Sequence, residues 1–196
     1  MAKLYFRYGA MGCGKTAQLL QVAFNYKEKG MSVAVMKPKI DTKAGDKLQT
    51  RIGIERDVDY LIEPNDNIYE IIKKKFNKSN CILVDEAQFL TKDQVDNLMM
   101  VVVNLNIPVM CYGLRTDFLT NGFSGSIRLL EIAHTIEELK TICKCGRKAM
   151  YNARYVNGKI ATSGEAVVID NDSNVKYISL CPHCYYEEID KNKVLK

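Results

Sequence analysis

Gly9-Ala10-Met11-Gly12-Cys13-Gly14-Lys15-Thr16 is the stretch that decides how this chain folds. It fits G-x-x-x-x-G-K-[ST], a loop that wraps the phosphates of a nucleotide. Its glycines let backbone N–H groups approach phosphate oxygens with no Cβ in the way. Lys15 reaches the β- and γ-phosphates as a point charge, and the Thr16 hydroxyl is placed for Mg²⁺. Such a loop needs a strand before it and a helix after it. Lys3-Leu4-Tyr5-Phe6-Arg7-Tyr8 reads as the strand, and the run 17–24 carries apolar residues at helical spacing. The helix N-terminus then points at the anion.

Outward from the loop, pieces of the first half alternate. Gly30 caps the first helix, and 32–37 reads as a buried strand stopped by Pro38. The run from Pro38 to Gly53 is polar and basic with little periodicity, a long loop. A short strand at 58–62 and a helix at 67–76, with Ile68, Ile71, Ile72 and Phe76 on one face, follow. Cys81-Ile82-Leu83-Val84-Asp85 is an apolar run ending in acid, the pattern of a central parallel strand. Thr91 caps a helix through Val103, and 107–113 returns as a strand. This alternation predicts an α/β fold, a RecA-like parallel sheet with helices on both faces.

Asp85 ends its strand where an open parallel sheet binds ligands, beside the phosphate loop, and can hold Mg²⁺ with Thr16. Glu86 follows with its charge unspent on metal. It can polarise a water, giving an ATPase, or an acceptor hydroxyl, giving a kinase. Asp85-Glu86-Ala87-Gln88 also looks like a helicase motif, but such motors need two large domains. Residues 1–140 supply one domain's worth.

Near Thr141 helical periodicity fades, and a small β-rich domain over 141–196 is expected. Cys143-Lys144-Cys145-Gly146 and Cys181-Pro182-His183-Cys184 are two knuckle-like pairs. Four thiolates around Zn²⁺ staple a unit too small to hold itself by burial; His183 in place of one cysteine is the alternative. The C-x-C pair is one residue shorter than the usual spacer between zinc-binding cysteines, so the backbone is expected to turn there. Cys13, Cys81 and Cys111 read as small packing residues.

The chain has 196 residues, 47% hydrophobic and 26% charged, the make-up of a globular protein with one good core and a small appendage. A net charge of +5 suits phosphate handling and does not by itself call for a nucleic-acid groove. Lys3 and Arg7 interrupt any N-terminal apolar run, and 98–114 is broken by Asn104, Asn106 and Pro108. With seven cysteines better read as metal ligands and buried thiols than as disulfides, a cytoplasmic protein with no membrane partner is expected.

The order of these motifs resembles the tetrameric, zinc-containing thymidine kinases of bacteria and animal cytosol, over essentially the whole chain. The matching pieces are 9–16, Asp85 to Phe89, Gly113-Leu114-Arg115-Thr116-Asp117-Phe118, the cysteine pairs, and Val167-Val168-Ile169 followed by Tyr177. The resemblance implies transfer of the ATP γ-phosphate to the 5′-hydroxyl of thymidine or deoxyuridine, with Glu86 as general base. It places Asp85 and Gln88 with the loop residues at the nucleotide. Met11, Phe89, Leu114, Phe118, Asn152, Val167, Val168, Ile169 and Tyr177 fall at the nucleoside, the segment 157–175 being a lasso over the base. Cys143, Cys145, Cys181 and Cys184 match the zinc ligands. A homotetramer and feedback by dTTP are also implied, and no nucleic-acid partner.

This chain has Asp170-Asn171 where the family usually has Gly-Gly or Gly-Ala, and Asn152 where many relatives carry threonine. Lys43 and Thr50-Arg51 replace the more familiar arginine and histidine patterns of the basic loop, and no catalytic role is assigned there. A nucleic-acid-stimulated ATPase and a zinc-knuckle module with a nucleotide switch are the competing functions. Phe89 paired with 114–118 builds an enclosed nucleoside pocket, which neither competitor needs.

Overall fold

A computed structural model of the chain describes residues 1–39, 45, 47–166 and 174–194. The chain runs from β1 (Leu4–Tyr8) into α1 (Lys15–Glu28) and β2 (Val33–Pro38), then β3 (Lys47–Gln49) and β4 (Glu55–Asp57). Next come β5 (Tyr60–Ile62), α2 (Ile68–Lys75), β6 (Cys81–Val84) and α3 (Lys92–Met100). β7 (Val109–Gly113), α4 (Ser124–Ile132) and β8 (Thr135–Glu138) complete the larger part. β9 (Tyr151–Val156), β10 (Lys159–Ile160), β11 (Val175–Leu180) and α5 (Pro182–Val194) follow.

Six strands form one sheet in the order β5-β2-β6-β7-β1-β8, every pair parallel. β7 therefore lies between the strand feeding the phosphate loop and the strand ending at Asp85, the RecA-like arrangement. Side-chain alternation explains the unbroken apolar run of β6. Ile82 and Val84 join a core with Ile72 of α2, Leu98 of α3 and Leu129 of α4. Cys81 and Leu83 face the opposite core, with Leu19, Leu20 and Ala23 of α1. Both faces are covered, so no position on this strand is free to be polar.

Local chemistry sets the helix ends. The Thr91 hydroxyl accepts from the Gln94 N–H, and the Gln94 side chain accepts from the Thr91 N–H. This capping box contributes about 1 kcal/mol. α2 begins at Asn67, whose side chain accepts from the Glu70 N–H. Regular helix ends at Met100, short of the expected Val103, and widens into a π-type turn over Val101–Leu105.

The run from Pro38 to Gly53 is not wholly a loop. Lys47–Gln49 pairs antiparallel with Glu55–Asp57, and Leu48 is buried in the α1-side core. Three residues per strand are too few to show periodicity, which is why the sequence reads as featureless there. The C-terminal part is the small β unit expected, a sheet of order β10-β9-β11, closed by a helix that periodicity did not reveal.

One contact sets how close α4 comes to the turn after β6. A Cβ added at Gly125 would lie 2.6 Å from the Ala87 carbonyl oxygen and 2.7 Å from that of Leu90. Gly125→Ala is therefore expected to cost about 1–3 kcal/mol, read as a lower midpoint in denaturant unfolding. An unchanged midpoint would mean that the helix can shift freely.

Candidate active site

The phosphate loop is held open by backbone geometry and by its own lysine. Gly12 and Gly14 adopt φ of +77° and +83°, a region that side chains with a Cβ rarely enter. A Cβ at Gly9 would lie 2.3 Å from the Leu139 carbonyl oxygen. α1 then starts with no side-chain cap and no acidic residue in its first turn, leaving its N–H groups for an anion. The buried Lys15 ammonium donates to the Gly9 and Ala10 carbonyls at 3.1 and 3.2 Å. It fixes the loop's curve.

Asp85 leaves the end of β6 directly opposite this helix start. Its Oδ2 accepts from the Thr16 hydroxyl at 2.8 Å, joining two residues far apart in sequence. Burial pushes the Asp85 carboxyl above the ordinary carboxylate range, as does the Glu86 charge, against the Thr16 hydrogen bond and Lys15. A hydroxyl and a carboxylate oxygen in contact are the hard donors that Mg²⁺ prefers.

Glu86 sits in the left-handed region, φ +49°, which costs a non-glycine residue about 1–2 kcal/mol. Two contacts hold it there. Its N–H donates to Asp85 Oδ1 at 3.0 Å, and its carboxylate accepts from Gln88 Nε2. Gln88 is buried, and its Oε1 accepts from the Leu114 N–H at 3.0 Å. Both ends of the Gln88 amide are thus engaged, one aiming Glu86 and one fixing the 114–118 loop. Sequence reasoning had no signal for this link.

Phe89 and Phe118 sit in two separate sets of contacts. Phe89 packs edge-on against Phe123, centroids 5.6 Å apart; Phe123 was missed, although it shares the loop that carries Phe118. Asp117 Oδ1 accepts from the Leu119 and Asn121 N–H groups and shapes that loop. Phe118 is buried, with the Arg154 guanidinium 3.5 Å above its ring and its carbonyl accepting from the Tyr185 hydroxyl. Arg154 also donates to the Ser163 and Glu165 carbonyls, so it holds residues 163–165 within the 157–175 segment. Tyr177 lies across from Arg154 on β11. Val167, Val168 and Ile169, with Asp170 and Asn171, lie outside the described residues.

Asn152 is where the two parts of the chain meet. Its Oδ1 accepts from the Met11 N–H at 2.8 Å, while the Ser179 hydroxyl donates to the Met11 carbonyl. Asn152 and Ser179 are register partners on β9 and β11, so the small sheet grips both backbone polar groups of one residue of the phosphate loop.

The four paired cysteines converge. Their Sγ atoms all lie within 4.8 Å of one another, and Cys145 and Cys181 are 3.6 Å apart. A tetrahedral zinc with Zn–S near 2.3 Å has sulfur–sulfur edges of about 3.8 Å, which this cluster fits. The C-x-C pair does turn: Gly146 has φ +81° and its N–H donates to the Cys143 carbonyl. The His183 side chain is 66% exposed and points to Glu187, outside the four thiols. Cys81 and Cys111 are fully buried packing residues, and burial pushes the Cys81 thiol up to about 12.

Asn152→Ala strands the Met11 N–H and is expected to cost about 1–3 kcal/mol of stability. It should also weaken nucleotide binding, measured by calorimetric titration with ATP. Unchanged nucleotide affinity would mean that the loop keeps its shape without this clamp.

The family model for thymidine kinase matches residues 2–185. The thymidine kinase of Francisella tularensis subsp. holarctica is 47% identical over 188 residues, 92% of this chain and 95% of that protein. That of Shewanella oneidensis is 47% identical over 193 residues, covering 96% and 99% of the two chains. That of Vibrio parahaemolyticus is 45% identical over 195 residues, covering 97% and 100%. The Pif1 helicase of Candida albicans overlaps 72% of this chain and 36% of its own at 16% identity and a TM-score of 0.42, too distant to carry weight. With its phosphate loop, acidic strand end and four-cysteine cluster in place, the chain belongs to the thymidine kinase family.

Proposed function

We propose that this protein transfers the γ-phosphoryl group of ATP to the 5′-hydroxyl of thymidine or deoxyuridine, with Glu86 as the general base. The observation that carries this reading is the placement of Glu86. It stands one residue past the Asp85–Thr16 contact, held in a strained conformation, with Gln88 tying it to the 114–118 loop. A carboxylate so placed accepts the 5′-hydroxyl proton while the oxygen bonds to the γ-phosphorus. The bond from that phosphorus to the β–γ bridging oxygen breaks, and ADP leaves. Lys15 and the first N–H groups of α1 bind the phosphates. Thr16 and Asp85 would hold Mg²⁺, which neutralises charge on the β- and γ-oxygens when bound.

The nucleoside side follows from the same geometry. Phe89, Leu114 and Met11 offer apolar walls to a flat pyrimidine, with Phe118 braced by Arg154. Asn152 spends its oxygen on Met11, and its Nδ2 keeps two donors for a thymine carbonyl. The family resemblance assigns Val167, Val168, Ile169 and Tyr177 to the base, with 1–140 as the nucleotide-binding kinase domain and 141–196 as the zinc-binding lasso domain. The four cysteines hold a structural zinc, and a thiolate site of this kind suits the reducing cytoplasm. Family membership supports a homotetramer and feedback by dTTP.

Glu86→Gln should keep ATP affinity and lower thymidine kcat by roughly 10²- to 10⁴-fold, the usual worth of a positioned base. Near-normal kcat would remove Glu86 from that role. For the metal, elemental analysis should find about one Zn²⁺ per chain, and Cys181→Ser should lose it and lower the thermal midpoint. Metal-free protein with an unchanged midpoint would rule out a zinc staple.

A further inference from the structure

The basic hairpin, left without a role by its sequence, places a cation beside the phosphate loop. A Cβ added at Gly12 would lie 3.5 Å from Nη1 of Arg51. Gly12 is a central residue of the loop, so the guanidinium stands at its crest. Arg51 is exposed and makes no hydrogen bond or ion pair among the described residues.

Its position is built rather than incidental. Leu48 anchors the hairpin in the core that contains Leu19 and Leu20 of α1, the helix whose N-terminus faces the phosphates. Lys37, fully buried in β2, donates to the Lys47 carbonyl at 3.1 Å. At the tip, the Thr50 N–H donates to the Ile54 carbonyl and the Ile54 N–H to the Thr50 hydroxyl, at 2.9 and 2.8 Å. Gly53, φ +83°, allows the reversal, and Arg51 is carried at the apex.

We propose that Arg51 is a catalytic residue: its guanidinium grips the γ-phosphoryl group as it passes from ATP to the acceptor hydroxyl. This rests on the phosphoryl-transfer reading above. A permanently charged planar fork matches two phosphate oxygens at once, and charge spreads over those oxygens as the group transfers. Lys15 serves the other side of the loop, where it is bonded to Gly9 and Ala10.

The test is steady-state kinetics of full-length Arg51→Ala and Arg51→Lys with ATP, Mg²⁺ and thymidine, with and without added guanidinium ion at non-denaturing concentration. Arg51→Ala should lose roughly 10²- to 10³-fold in kcat, with the thymidine KM within about 3-fold of wild type. Arg51→Lys should recover little, lacking the fork. Added guanidinium should raise the rate of Arg51→Ala and leave Glu86→Gln unchanged, which a purely structural loss would not do. A kcat within about 3-fold of wild type, or a loss that guanidinium does not rescue, would overturn the proposal while an active wild type keeps the parent reading. A wild type that transfers no phosphate to thymidine would overturn both.

Discussion

The backbone of Met11 belongs to two structures at once. Its N–H is bound by Asn152 and its carbonyl by Ser179, while its neighbours form the curve of the phosphate loop. Glycine-rich loops gain their reach by giving up side chains, and they lose rigidity with them. Here the lost order is restored from outside, by a small sheet more than a hundred residues further along the chain. That sheet has a thin core of its own, with Ala149, Ala153, Ile160 and Leu180 around the cysteines. Gathering four thiols at its base compensates for the small area it can bury. The cysteine cluster thus supports the nucleotide site without touching it.

A second constraint runs through the turn after β6. Glu86 is held in a conformation that its residue type disfavours, and the surroundings over-determine it. Asp85, Gln88 and the close approach of Gly125 each remove a way for the turn to relax. The same Gln88 amide accepts from the Leu114 N–H, so one side chain ties the 114–118 loop to the Glu86 carboxylate. Asp85, Glu86 and the Leu114 backbone are therefore joined by a single short network, while Phe118 is held separately by Arg154 and Tyr185.

What could be read from residues alone follows from range. The phosphate loop, the all-apolar β6 and the Thr91 helix cap are local patterns, and the structure carries each of them. The cysteine pairs are also local, and their convergence needed only the assumption of one shared metal. The hairpin at 47–57 escaped because its strands are three residues long. Ser179, Arg154 and the tie from Gln88 to Leu114 escaped because each acts through a partner distant in sequence. Arg51 was set aside because it departs from a family pattern, although distance from Gly12 is what matters for its charge.

The most direct measurement follows the label from γ-labelled ATP in the presence of thymidine and Mg²⁺. The account requires label on the 5′-oxygen of thymidine, with one ADP formed for each nucleotide made and little ATP turnover when thymidine is left out. Label released as inorganic phosphate, at a rate that thymidine does not change, would contradict it.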